Sequence, residues 1–211
     1  MTSWKNKQRI AGYVLAGGGS TRFGRDKALV EFDGKPMLAR MVELLRDVTK
    51  SRKVVAVRGK YEAFGVEIVE DRWPGEGPLG GIITALEDAA GSAGRSEWNL
   101  IVSCDMPFLT PQWMRYMATR TPESAAQVIL PHSTGGPEPL CACWRTDAAE
   151  TLRAAFERGI RKVTDGVALL RSEVLDEAEW KRFDSAGRLF WNMNTQADYE
   201  EASRGFKMGH A

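Results

Sequence analysis

A loop rich in glycine and cationic residues directly follows the first apolar run of the chain. Residues 16–27, which come after Ile10–Leu15, read AGGGSTRFGRDK. Glycines let successive backbone N–H groups approach an anion, and Arg22 and Lys27 add cationic donors, so the loop is suited to binding a polyphosphate. It fits neither the dinucleotide fingerprint, which requires a glycine at Arg22, nor the P-loop, which requires Lys-Ser or Lys-Thr at Arg25-Asp26.

Acidic side chains follow later strand-like runs, and ligands of α/β sheets bind beyond such strand ends. Asp105 comes two residues after the apolar run Trp98–Ser103, and Asp71 comes two residues after Val66–Val69. Magnesium takes one or two carboxylates together with phosphate oxygens and waters. Asp105 is therefore the predicted anchoring ligand of a Mg²⁺ ion; the alternative is that it only begins the turn before Pro107.

Strand-like and helix-like segments alternate along the first half of the chain. The predicted strands, which are short and rich in β-branched residues, are Ile10–Leu15, Lys53–Val57, Val66–Val69, Trp98–Ser103 and Gln127–Leu130. The predicted helices are Lys35–Val48, Leu79–Ala90 and Thr110–Thr119, the last with Thr110 as its N-cap. Repeated strand–helix–strand units imply a mostly parallel sheet with helices on both faces.

The second half of the chain has a different pattern of elements. Glu138–Trp144 is a predicted strand, and two predicted helices follow at Asp147–Arg158 and Arg161–Leu170. Then come short pieces around Ser172–Leu175 and Leu189–Trp191 and a last helix from Thr195 to about Ser203. Thr195 and Asp198 form a pair like a capping box at the start of that last helix. No repeat or linker divides the chain. Residues 1–211 are therefore predicted to form a single α/β domain, a three-layer sandwich with a Rossmann-like, mostly parallel sheet.

Composition narrows the classes of function. The 211 residues carry a net charge of +1 and are 43% hydrophobic, and no apolar run is long enough to span a bilayer. We therefore expect no nucleic-acid or membrane partner. The three cysteines, Cys104, Cys141 and Cys143, form no disulfide framework, so we expect a reducing, cytoplasmic location. A zinc site at Cys141 and Cys143 is disfavoured because His132 and His210 are the only histidines.

Four segments together resemble the molybdenum cofactor guanylyltransferase family. They are LAGGGSTRFGRDKALVEFDGKPML from residue 15, Glu70-Asp71 with GPLGG at 77–81, SCDMPFL at 103–109, and NMNTQAD at 192–198. The first segment marks nucleotidyltransferases of the glycosyltransferase-A-like fold, and the other three are similar to this branch. The resemblance implies transfer of GMP from GTP to molybdopterin with release of pyrophosphate, using magnesium.

The resemblance also implies roles for particular residues. Its implied catalytic residues are Lys27, Arg22 and Asp105. Its implied nucleotide-binding residues are Leu15, Ala16, Gly17, Gly18, Gly19, Lys27, Asp71, Gly80 and Asp105, with residues 1–130 as the nucleotide-binding half. Its implied acceptor-binding residues are Glu138, Arg161 and Lys162, within an acceptor-binding half, 131–211. Its implied magnesium ligands are Asp105 and Asn194.

Several alternatives remain open from the residues. Asn194 is also typical of a turn residue before the Thr195 cap. Arg161 and Lys162 are also typical of the solvated start of a helix. Guanylyltransferases often carry an asparagine near the end of the second strand that helps to recognise guanine. Val54–Gly59 contains none, so the choice between guanine and cytosine as the nucleotide base stays open. The rival hypotheses are a molybdopterin cytidylyltransferase, another nucleotidyltransferase, or a non-catalytic nucleotide-binding accessory protein. Transient protein partners would be molybdenum-insertion proteins or apo-molybdoenzymes.

Overall fold

The computed structural model describes residues 10–17, 26–91 and 95–208, the last four of these by their backbone alone. Its strands are β1 (Ile10–Leu15), β2 (Glu31–Phe32), β3 (Lys35–Pro36), β4 (Ser51–Ala56), β5 (Glu67–Glu70), β6 (Trp98–Ser103), β7 (Val128–Ser133), β8 (Gly136–Pro137), β9 (Cys141–Arg145) and β10 (Ser172–Leu175). Its α-helices are α1 (Met37–Leu44), α2 (Pro78–Gly91), α3 (Pro111–Arg120), α4 (Ala148–Glu157), α5 (Val163–Val167), α6 (Glu177–Trp180) and α7 (Gln196–Met208).

The main sheet has the order β10-β7-β9-β6-β1-β4-β5, with β8 paired to β7. Strand β1 is central and runs parallel to both β4 and β6, and β5 continues the parallel part at one edge. Strand β9 is antiparallel to both β6 and β7, while β10 is again parallel to β7. The predicted mostly parallel sheet is confirmed, with β9 and the short β8 as its antiparallel members.

Helices cover both faces of the sheet and enclose two apolar cores. Met41 of α1 and Trp113 of α3 are buried in one core. Ile82 of α2 and Leu152 of α4 are buried in the other. Side chains of a strand point alternately to opposite faces, so β1 contributes to both cores. The predicted three-layer sandwich is confirmed. Among the described residues, no helix combines the length and apolar character that crossing a membrane requires.

Sequence signals located several elements correctly. Strands β1 and β6 have the predicted bounds. Helix α3 begins at Pro111, and the Thr110 hydroxyl accepts a hydrogen bond from the backbone N–H of Trp113, as an N-cap should. The predicted helix Lys35–Val48 is wrong at both ends, since α1 spans only Met37–Leu44. Residues Asp33 and Gly34 have φ of 52° and 72° and form the two-residue turn of a β2–β3 hairpin, so the helix begins only at Met37.

The second half needed more corrections. The predicted strand at Glu138 begins at Cys141 instead, because Pro139 has no N–H to donate to a sheet. The predicted helix Arg161–Leu170 is reduced to α5, which contains Gly166. The predicted short piece Leu189–Trp191 is part of a turn, in which Leu189 is fully buried. Helix α7 continues beyond the predicted end.

Candidate active site

A cleft of about 370 Å³ opens beside the carboxyl ends of the central strands. Its walls include Leu15 at the end of β1, Asp71 after β5 and Asp105 after β6, together with Gly17 and Gly81. Parallel strands end at the same edge of a sheet, which is why residues far apart in the chain meet here. Of the predicted nucleotide-binding residues, Gly18 and Gly19 lie outside the described residues, as does Arg22.

Two predicted site residues, Asp105 and Asn194, converge on the ammonium of a third, Lys27. The ammonium Nζ of Lys27 lies 2.8 Å from Oδ1 of Asn194 and 3.4 Å from Oδ2 of Asp105. The side chains of Lys27 and Asp105 are 19% and 16% exposed, so both are partly desolvated. Lys27 begins a short 3-10 turn that ends at Leu29. A carboxylate and an amide oxygen that face the same point form a site able to hold a cation.

Three hydrogen bonds hold Asp105 and the turn that contains it. Its Oδ1 accepts from the hydroxyl of Ser103 at 2.6 Å. The preceding Cys104 donates its backbone N–H to the carbonyl of Leu15, which joins the turn to β1. The backbone carbonyl of Asp105 accepts from the N–H of Met193 at 2.9 Å. The carboxylate is therefore held in a defined direction at the tip of β6.

Asn194 is held by the start of the last helix. The carboxylate of Asp198 accepts from the backbone N–H groups of both Asn194 and Thr195 at 2.8 Å, and Thr195 in turn accepts from the N–H of Asp198. The predicted reciprocal cap is thus confirmed. Desolvation raises the pKa of Asp198, but the hydrogen bonds from Thr195 and Asn194 outweigh it and leave that pKa below its ordinary value.

Asp71 borders the first cleft beside Gly17. Its Oδ1 accepts from the backbone N–H of Trp73 at 3.0 Å. A Cβ added at Gly17 would lie 3.6 Å from Oδ2 of Asp71, so the glycine leaves the carboxylate open to the cleft. Ala16 is buried, and its N–H donates to the carbonyl of Val55 within the sheet. Its predicted role in nucleotide binding therefore does not involve this donor and stays a prediction.

Gly80, another predicted nucleotide-binding residue, packs closely against a neighbouring side chain. It lies in the first turn of α2 and faces Trp73, whose Cβ would be 3.0 Å from a Cβ at position 80. The neighbouring Gly81 lines the cleft instead. One residue along a helix turns the side-chain direction by about 100°, and the GPLGG segment gives no sign of which glycine faces the ligand.

A second cleft of about 500 Å³ adjoins the first and shares Gly77, Pro78 and Leu140 with it. The three predicted acceptor-binding residues line it together: Glu138, Arg161 and Lys162. Burial raises the pKa of Glu138, although its hydrogen bond from Ser133 and the nearby His132 act in the opposite direction. The second cleft therefore combines a half-buried carboxylate at one side with cations at another.

Arg161 is engaged by the protein itself. Its Nε lies 2.6 Å from Oε2 of Glu76, and its Nη1 donates to the carbonyl of Phe156 at 2.6 Å. The guanidinium also lies over the Phe156 ring, 3.9 Å from its centroid. The sequence offers no signal for Glu76 as a partner. Gly75 and Gly77 on either side of it have φ of 84° and 95°, and they bend this loop between the two clefts.

Metal-binding chemistry here rests on few protein ligands. Within residues 10–17, 26–91 and 95–208, no three or more His, Cys, Asp or Glu side chains cluster as a metal site. Cys104, Cys141 and Cys143 are free and buried, and burial raises the pKa of the Cys141 thiol to about 12. A metal at the first cleft would therefore depend on Asp105, an amide oxygen and the ligand's own oxygens.

Comparisons with known proteins show the family to which the chain is similar. Residues 12–174 match the family described as MobA-like NTP transferase domain. A protein of Opitutus terrae named "Probable molybdenum cofactor guanylyltransferase" is 33% identical over 92% of this chain and 96% of its own. One of Pelotomaculum thermopropionicum with the same name is 31% identical over 92% of each chain. The crystal structure of molybdopterin-guanine dinucleotide biosynthesis protein A from Archaeoglobus fulgidus covers 94% of this chain and 99% of that chain, with a TM-score of 0.78 and 24% identity.

Proposed function

The chain belongs to the MobA-like NTP transferase domain family, and from this premise we propose that it transfers GMP from GTP to molybdopterin and releases pyrophosphate. The observation that carries the proposal is the convergence of Lys27, Asp105 and Asn194 beside two adjoining clefts. Relatives about 30% identical over most of the chain carry the guanylyltransferase name. A transferase needs two substrate sites that meet at the reacting atoms, and the shared wall of the clefts supplies that meeting point.

The nucleotide belongs in the first cleft. Its triphosphate would lie against Lys27, because the ammonium is aimed into the space between Asp105 and Asn194. Gly17 and Gly81 leave room for close approach of the base and ribose, and Asp71 offers a carboxylate oxygen to their N–H or O–H donors. The acceptor belongs in the second cleft.

The bond changes are those of an in-line phosphoryl substitution. An oxygen of the acceptor's terminal phosphate forms a bond to the α-phosphorus of GTP, and the bond from that phosphorus to the bridging oxygen of pyrophosphate breaks. The nucleophile is already an anion, so no side chain has to remove a proton. The protein acts by alignment and by neutralising charge, which is the dominant need of such reactions. Lys27 supplies a fixed positive charge for this purpose.

We further propose that the reaction depends on magnesium, held by Asp105 and Asn194. These residues fit the ion because Mg²⁺ prefers oxygen ligands and uses one or two protein groups with phosphate oxygens and waters. The oxygens of Asp105 and Asn194 already face a positive charge, the Lys27 ammonium, so both can serve as ligands of a cation. When bound, the ion would neutralise charge on the triphosphate and leaving group.

Location and protein partners are further parts of the proposal. The buried, unpaired thiols Cys104, Cys141 and Cys143 suit a reducing compartment, which supports a cytoplasmic enzyme. Its product would pass to apo-molybdoenzymes, with those proteins or molybdenum-insertion proteins as transient partners. Cell fractionation, followed by cross-linking and mass spectrometry, tests both points.

The deciding experiment is nucleotide choice by the purified protein. It is incubated with molybdopterin, Mg²⁺ and either GTP, CTP or ATP; pyrophosphate release is measured, and the dinucleotide product is identified by mass spectrometry. We expect turnover with GTP and little with the other two nucleotides, and no pyrophosphate without the acceptor. A thermal-shift series with the same nucleotides gives an independent readout of binding. Preference for CTP in both assays would replace the guanylyl assignment with a cytidylyl one.

A further inference from the structure

Tyr61 has a backbone conformation that side chains of its kind rarely adopt. It lies beyond β4 with φ of 61° and ψ of 11°, in the left-handed region. A bulky residue in this region costs free energy, and it persists where surrounding contacts determine its position. Tyr61 is only 8% exposed, and its ring packs edge-on against Phe64 at 6.4 Å. The strained backbone delivers its hydroxyl to one specific partner.

That partner is Asp26, the residue before Lys27. The Tyr61 hydroxyl donates to Oδ2 of Asp26 at 2.7 Å, and the ammonium of Lys60 lies 3.4 Å from the same oxygen. The other oxygen of Asp26 accepts from the backbone N–H of Ala28 at 3.1 Å, which caps the 3-10 turn that begins at Lys27. Both carboxylate oxygens are thus held by groups other than the adjacent ammonium.

The consequence concerns the direction of Lys27. An aspartate next to a lysine competes for its ammonium, and an unheld aspartate would also repel a triphosphate. Here the Asp26 carboxylate is turned toward Tyr61 and the backbone, while Lys27 reaches Asp105 and Asn194. Burial and the contact with Asp26 raise the pKa of Tyr61, so its hydroxyl stays protonated and donates to the Asp26 carboxylate.

We propose that Tyr61 is a positioning residue for nucleotidyl transfer, whose hydroxyl holds Asp26 so that Lys27 points at the triphosphate. This inference rests on the function proposed above and on the role given there to Lys27. It identifies a contribution from the segment after β4, which lies outside the resemblance segments of the sequence. The contacts are continuous. The Tyr61 phenol donates to the Asp26 carboxylate, that carboxylate caps the turn that begins at Lys27, and the Lys27 ammonium belongs to that turn.

The test removes the hydroxyl and keeps the ring. Tyr61→Phe preserves the packing against Phe64 and the backbone strain but deletes the hydrogen bond to Asp26. The matched control is Tyr116→Phe, because the Tyr116 hydroxyl also donates to a helix-capping carboxylate, that of Glu179, at a position outside both clefts. Lys27→Met and the double variant of Tyr61 and Lys27 complete a double-mutant cycle. Each protein is assayed for kcat/KM of GMP transfer and, by calorimetry, for GTP affinity.

We expect Tyr61→Phe to lower kcat/KM by roughly ten- to a hundredfold, which is the scale set by misplacement of a catalytic group. In the Lys27→Met background the same change should have less than about a twofold effect, because the group that Tyr61 positions is gone. Tyr116→Phe should change activity by less than about twofold in either background. Equal losses from Tyr61→Phe with and without Lys27, or no loss at all, would overturn the proposal.

Failure of the proposed function has a different signature. If the wild-type protein transfers no nucleotide, the GMP-transfer assignment fails, and the calorimetric cycle still decides the role of Tyr61. Coupling between Tyr61 and Lys27 in GTP affinity would then support the positioning role, and independent effects would refute it. If Lys27→Met matches the wild type in both assays, the roles of Lys27 and Tyr61 fall together.

Discussion

The ammonium of Lys27 donates a hydrogen bond of 2.8 Å to Oδ1 of Asn194, although 167 positions separate the two residues. This contact joins the turn near the start of the chain to the loop before α7. The backbone bond from Met193 to Asp105 holds the same loop against the tip of β6. The candidate site is therefore assembled from both halves of the chain, and its last contributor comes from near the end.

Replacing Asn194 with alanine should lower kcat/KM for GMP transfer by about tenfold, because the amide oxygen that accepts from Lys27, and that we propose as a Mg²⁺ ligand, is lost. The exposed Gln196→Ala, two residues further on, is the matched control and should stay within about twofold of wild type. Steady-state kinetics with both substrates measures the effect. Normal kinetics for Asn194→Ala would show that this residue serves only the turn before α7.

Asp105→Asn should lower the rate by roughly a hundredfold and raise the Mg²⁺ concentration needed for half-maximal activity, because the carboxylate charge at the strand tip is lost. The shape of the side chain is retained, so the thermal stability should change little. The measurement is the rate of transfer against Mg²⁺ concentration. Asp47→Asn is the control, since that carboxylate is 66% exposed and pairs only with Arg115 at 3.7 Å among its described contacts. An unchanged Mg²⁺ dependence in Asp105→Asn would contradict the proposed role of Asp105 as a Mg²⁺ ligand.

The order of strands explains why the pairing of Lys27 with Asp105 could be predicted from the sequence. Both residues follow apolar runs that become parallel neighbours, β1 and β6, and such strands end at one edge. The side on which a residue lies within a turn or helix is decided by tertiary packing instead. Packing places Gly80 against Trp73, and the sheet engages the N–H of Ala16; the sequence motifs that contain these residues indicate neither contact.

Contacts between distant loops could not be read from the sequence at all. The ion pair of Arg161 with Glu76 spans 85 positions, and the hydrogen bond of Tyr61 to Asp26 spans 35. Neither pair has a spacing that local periodicity can reveal, since helical and strand patterns relate residues only a few positions apart. The left-handed conformation of Tyr61 is likewise unexpected for a bulky residue, because tyrosine has no preference for it.

Arg161→Ala should raise the KM for the acceptor by about tenfold and leave the KM for GTP nearly unchanged. The guanidinium lines the second cleft and holds the loop at Glu76, so its removal should first affect the side that we propose for the acceptor. The exposed Arg158→Ala controls for the loss of one positive charge nearby. The measurement is the pair of KM values under saturating co-substrate. An equal rise in both KM values would mean that Arg161 acts through the loop shared by the two clefts.

Two glycines of α2 should respond oppositely to the same substitution. Gly80→Ala should destabilise the protein by about 1–3 kcal/mol, because the new Cβ would be 3.0 Å from the Cβ of Trp73. Gly91→Ala should stabilise it by up to about 0.5 kcal/mol, because nothing lies within 4 Å of a Cβ there and alanine favours the helix. Urea denaturation measures both changes. If Gly80→Ala left the free energy of unfolding unchanged, Trp73 would have moved to make room for the new Cβ. In that case we expect the affinity for GTP to be unchanged as well.

The cap at the start of α7 should make stability depend on pH. The native pKa of Asp198 lies below its ordinary value of 3.8, so its ionised form stabilises the folded state above that pH, and the contribution is lost as the pH falls through the native pKa. Asp198→Ala should therefore cost about 1 kcal/mol at pH 7, the usual value of a helix cap. The difference from wild type should shrink steadily below about pH 4. Denaturation curves at pH 7, 5, 4 and 3 provide the measurement, with the exposed Glu201→Ala as the control from the same helix. A difference that stays constant across this range would mean that Asp198 stabilises the loop without its charge.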